Sequence, residues 1–127
     1  MDTSARVLNL LIRALGAGAL ALGIAFWSGY ARSLTQLHMV LGLGLVLSVW
    51  VLSWIAWRKT GRVGLALLGA TCGIVSLPFG VAQAAILPGA LHWVVELAHL
   101  ALGVIMIGVG SRLAVAVSHP RVSASPS

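Results

Sequence analysis

Acid is nearly absent from this chain: of 127 residues only Asp2 and Glu96 carry carboxylates, so chemistry that needs a pair of carboxylates has nothing to work with. Cysteine is as scarce. Cys72 stands alone, which excludes an internal disulfide and any multi-cysteine metal site and leaves the redox compartment unread. A single cysteine in an apolar run reads as a small core residue. Phosphate-binding loops and nucleophile elbows are missing too. Charged residues of both signs make up 8% of the chain and hydrophobic ones 60%, a balance that no water-soluble domain of this size shows. The formal net charge of +6 would point to nucleic acid in a soluble protein. Here the basic residues gather at the ends of apolar runs, as they do where membrane helices are oriented and held, and nucleic acid is set aside as a partner.

What remains is apolar sequence in four long stretches, about residues 7–29, 34–57, 63–87 and 90–117. Each reaches the roughly 20 residues needed to cross a bilayer as a helix. The expected fold is therefore all-α: an integral membrane four-helix bundle forming one domain over residues 1–117, surrounded by lipid. A Ser/Pro-containing tail over 118–127 has no apolar pattern and is expected to be disordered. The first stretch has the basic start of a cleaved leader, but Arg13 interrupts its apolar centre and bulky Phe26 and Trp27 sit where small residues would precede cleavage, so it reads as a retained helix. Trp27 with Tyr30, and Trp54 with Trp57, mark interfaces. In the third stretch Gly64, Gly69, Gly73 and Gly80 would let neighbouring backbones approach, Pro78 would bend the helix, and Pro88-Gly89 would stop it.

Counted by side, Arg6, Arg13, Arg58, Lys59, Arg62, Arg112 and Arg121 fall on one face and only Arg32 on the other. The positive-inside rule then puts both termini and the 58–62 turn in the cytoplasm. With that topology the second and fourth helices run parallel, and the chain reads as two parallel-related hairpins. Leu15-Gly16-Ala17 and Leu68-Gly69-Ala70 echo each other in the odd helices.

The chemistry-bearing repeat is in the even helices. His38-Met-Val-Leu-Gly42 returns sixty-one positions later as His99-Leu-Ala-Leu-Gly103. An ionisable side chain inside an apolar span is costly, so each histidine is expected to face the bundle interior with a partner or ligand. Gly42 and Gly103 stand one turn beyond on the same face, where the lack of a side chain would leave room for a flat macrocycle. Inward histidines on facing helices of a four-helix bundle are a recurrent cofactor site. His92, Glu96, His99 and Gly103 share one face of the fourth helix, so His92 is a second candidate to pair with His38. The repeat favours His99, whereas the equal count of positions from Arg58 to His38 and from Arg112 to His92 favours His92. His119 reads as a solvated tail residue. Glu96, one turn from both His92 and His99, is expected either to hydrogen-bond a ligand histidine or to accept a proton beside a quinol; the competing reading is a hydrated side chain near Trp93.

A short four-helix chain with His-x-x-Leu-Gly at the outer ends of its second and fourth helices resembles small bacterial membrane cytochromes b, in the broad sense of the cytochrome b561-like and ferric-reductase-like bundles. The resemblance covers all four helices, and its specific content is the two histidines with their glycines. It implies one haem b, its iron held by His38 and His99, in electron transfer with a quinol or a periplasmic redox partner, the chain acting alone, as a homo-oligomer or in a larger complex. Such families commonly hold two haems, one near each face. This sequence has no histidine pair near the cytoplasmic face, so the resemblance extends to one haem only.

Two other classes fit the composition. A cofactor-free structural subunit of a larger membrane complex needs only the four apolar helices. A small proton-coupled carrier would use Glu96 as its sole intramembrane acid, with His92 and His99 along the path. Zinc is a poor rival, because structural zinc sites are usually rich in cysteine and catalytic ones keep an open, watered position.

Overall fold

A computed structural model describes residues 3–119. Four helices account for most of them: α1 (Thr3–Trp27), α2 (Thr35–Thr60), α3 (Val63–Ala82) and α4 (His92–Ser118). A 3-10 turn, Arg32–Leu34, leads into α2, and a second, Gln83–Ala85, continues α3. All four helices are long and apolar enough to cross a membrane. Of the expected tail, all but Ser118 and His119 lies outside the described residues; Ser118 closes α4, and the His119 N–H donates to the Val115 carbonyl at 3.0 Å.

The helix ends differ from the apolar runs by several residues, and local chemistry accounts for this. Polar residues lengthen α1 at its start, because Thr3, Ser4 and Arg6 satisfy helical geometry without being apolar. α2 carries its basic residues Arg58 and Lys59 inside its last turn and closes at Gly61, whose φ of 62° is the left-handed conformation that caps helices. Pro78 is accommodated within α3. That helix ends at Ala82, short of the expected residue 87: the chain tightens into the 3-10 turn, Leu87 takes φ 46°, and Pro88 disfavours helical geometry in the residue before it, so the helix does not resume.

The helices pack as a flattened rhombus. α2 and α4 meet directly along the short diagonal, α1 packs against both from one side and α3 from the other, and α1 does not touch α3. α2 and α4 therefore run side by side in the same direction, with Arg58 and Arg112 toward one end and the histidines toward the other. The tight core lies in the basic half, where Ile12, Val49, Leu52, Met106 and Leu113 are fully buried. Close approach of α3 to α2 depends on two glycines. A side chain at Gly69 would collide with Ser53 Oγ, and one at Gly73 with the Trp50 indole; the Trp50 Nε1–H donates to the Ala70 carbonyl at 3.1 Å across that crossing. Gly64, also expected at a close approach, faces open space: a Cβ there would have no heavy atom of a neighbouring helix within 4 Å. Toward the other end the packing relaxes: no residue from 20 to 44 or from 74 to 94 is buried.

Candidate functional site

In this looser half the structure brings His38 and His99 together. His38 stands in the first turn of α2 and His99 two turns into α4, yet their ring centres are 6.1 Å apart with planes inclined at 55°. The difference in position along each helix explains why counting from the basic residues pointed to His92. Arg58 stands close to the end of α2, whereas α4 runs on past Arg112 to Ser118, so the two arginines are not equivalent markers of depth.

Each ring is held by the helix that precedes its own. The His38 Nδ1–H donates to the Ala19 carbonyl of α1 at 2.9 Å. Because a carbonyl only accepts, Nδ1 carries a proton, and in the neutral ring Nε2 then keeps its lone pair. Gly23, one turn after Ala19, lies beside the ring: a Cβ there would be in ordinary contact, 3.6 Å from His38 Cε1, and only a longer side chain would crowd it. Phe26 meets the His38 ring edge-on at 5.4 Å. On the other side Phe79 of α3 stacks on His99 at 6.0 Å and 25°, and a Cβ at Gly80 would be 3.2 Å from His99 Cε1. His99 Nδ1 is buried with no hydrogen-bond partner.

The remaining expected residues occupy different places. His92 is the first residue of α4, and its Nδ1–H donates to the Ile86 carbonyl at 3.2 Å, bracing the 86–91 connection. Glu96 is half-buried and has no hydrogen bond or ion pair among the described residues, so it is not joined to either neighbouring histidine as expected. Gly42 has open space where a side chain would begin, whereas Gly103 faces Leu20 of α1 at 3.5 Å.

Sequence reasoning gave Phe79 and Gly23 no role, and read Gly80 only as a close-approach residue and Phe26 only as too bulky for a cleavage site; it missed that all four lie beside the histidines. A signal was present: these are the only two phenylalanines in the chain, and each stands eleven positions after the leucine of its Leu-Gly-Ala echo. That echo alone gave no reason to connect them with the histidines.

The donor set bears on what could be held here. Among the described residues no three His, Cys, Asp or Glu side chains converge on a metal position. A haem iron needs only two from the protein, because the macrocycle fills the other positions. The meeting of the two histidine rings, and the lone pair that Nε2 keeps on a neutral His38, fit a group that would take two imidazole ligands from the protein.

The fold and the site thus define a bundle of four potential membrane spans with one histidine pair, backed by two phenylalanines, at the end opposite its basic residues. Comparison with family models, curated proteins and solved structures finds no match to the chain.

Proposed function

We propose that the chain is a multi-pass protein of a bacterial cytoplasmic membrane, both termini inside, that carries one haem b between His38 and His99 near the outer face and serves in electron transfer. The observation that carries this reading is the meeting of two histidine rings, sixty-one positions apart in sequence, at 6.1 Å from helices that run in parallel. When bound, the haem supplies reversible one-electron exchange at its iron, with a quinol or a periplasmic redox protein as the partner class.

The chain's own residues have separate tasks. His38 and His99 donate nitrogen lone pairs. The Ala19 carbonyl fixes the His38 tautomer and ring direction, the usual task of a group behind a metal-bound histidine. Phe26 and Phe79 cover the rings against water, and Gly23 and Gly80 keep the approach to each ring free of side chains. The relaxed packing of this half of the bundle supports the reading, since a flat macrocycle needs the helices apart.

A reduced-minus-oxidised absorption spectrum of the purified protein tests it. Sharp b-type bands are expected in the wild type, lost in His38→Ala and in His99→Ala, and kept in His92→Ala. A colourless wild-type protein, or loss of the bands in His92→Ala with retention in His99→Ala, would overturn the assignment.

A further inference from the structure

At the basic end α3 and α4 part to leave an open groove of about 470 Å³ lined by Arg62, Leu65, Ser111, Arg112, Val115 and Ala116. Its two arginines have no carboxylate to answer them among the described residues. The one acidic side chain described, Glu96, stands sixteen positions before Arg112 on the same helix, about 24 Å away along the axis. Arg62 Nε is buried and has no hydrogen-bond partner. Arg62 also precedes the first residue of α3, and the first α-helical bond runs from the Ala66 N–H to the Arg62 carbonyl, so the partial positive charge of that helix terminus adds to the two guanidinium groups.

We infer that this groove binds the phosphodiester of an anionic phospholipid, held by Arg62 and Arg112, with Ser111 as a further donor. The shared chemistry is that of any phosphate, but Leu65, Val115 and Ala116 form apolar walls that a free phosphate would leave unused and that suit the glycerol and first acyl carbons of a lipid. Basic pockets between helices on the cytoplasmic side of a membrane are where such headgroups settle. Arginine suits the role because its planar fork meets phosphate oxygens two at a time. The inference rests on the chain being in a membrane and not on the haem.

The test uses the full chain in neutral detergent, titrated with phosphatidylglycerol and with phosphatidylcholine of the same acyl chains and read by native mass spectrometry. A preference for phosphatidylglycerol of at least about tenfold is expected. It should vanish in the double variant Arg62→Gln, Arg112→Gln and persist in Arg58→Gln, whose charge lies at the same end but outside the groove. Equal binding of the two lipids, or an undiminished preference in the double variant, overturns the inference. Displacement of phosphatidylglycerol by inorganic phosphate alone would assign the groove to free phosphate and overturn the lipid. Independently of any variant, a phosphatidylglycerol analogue with a photoreactive headgroup should label residues 62–65 and 111–116, and labelling elsewhere counts against the groove. Alkaline carbonate washing separates the two readings: a chain washed off membranes fails the membrane reading, whereas a retained chain without lipid preference fails only this one.

Discussion

At the scale of single residues, glycine controls the histidine pair from the neighbouring helices. Gly23 is in ordinary van der Waals range of His38, so Gly23→Ala should leave the ring on the Ala19 carbonyl and b-type absorption intact. Gly23→Leu should push the ring away and remove the absorption as completely as His38→Ala does. Equal spectra for Gly23→Leu and the wild type would show that the Ala19 hydrogen bond is dispensable. Position 80 is tighter, at 3.2 Å, so even Gly80→Ala obliges His99 to shift by a few tenths of an ångström and should move the bands or their midpoint potential. Glu96 has no hydrogen-bond or ion-pair partner to lose among the described residues. Glu96→Gln is therefore expected to change unfolding stability by no more than about 0.5 kcal/mol and to leave the spectrum unaltered; a changed midpoint potential in that variant would restore the proton-coupled role.

At the scale of helices, the α2–α3 crossing explains why small residues recur along α3. In lipid there is no hydrophobic gain from bringing helices together, so van der Waals fit and hydrogen bonds carry the association. Gly69 against Ser53 and Gly73 against Trp50 are such contacts. Gly73→Leu would have to displace the indole and break its bond to the Ala70 carbonyl, and should cost about 1–3 kcal/mol of stability by overpacking. Gly64, with nothing near it, is the internal control: Gly64→Ala should gain up to about 1 kcal/mol from helix propensity alone. Denaturant titration in detergent micelles, followed by circular dichroism, measures both. A Gly73→Leu protein as stable as the wild type would mean that the two helices can separate without loss.

At the scale of the molecule, four antiparallel segments put the starts of α1 and α3 and the ends of α2 and α4 at one end of the bundle, and that end carries most of the positive charge. Reporter fusions after Gly61 and after Ser127 should both be active only in the cytoplasm, and one after Gly29 or Gly89 only outside. Activity of the Gly61 fusion on the outer side would reverse the orientation and with it the side of the membrane on which the histidine pair works. The Trp54 and Trp57 rings pack edge-on at 5.2 Å, and Arg58 lies over Trp54 at 5.6 Å, a cation–π contact at the boundary where this orientation places them.

The chain by itself determined the all-α class, the four helices long and apolar enough to cross a membrane, and the charged end, because these follow from sums over long stretches: about twenty apolar residues are enough for a membrane-crossing helix, and the basic residues stand at the ends of those stretches. It also singled out His38 and His99 through the repeat, since the cost of an imidazole in an apolar run is a local property. Which histidine meets His38 was a different matter. That choice depends on how far each helix extends beyond its last basic residue and on the axial offset of α4 against α2, quantities set by packing at Gly69, Gly73 and the core around Val49 and Leu113. The same holds for Phe26, Phe79, Gly23 and Gly80, which touch a histidine of another helix, so that even the matched spacing of the two phenylalanines gave no reason to join them to it, and for Arg62 and Arg112, fifty positions apart in sequence. A contact between helices is a sum over distant residues, and only the tertiary structure adds it up.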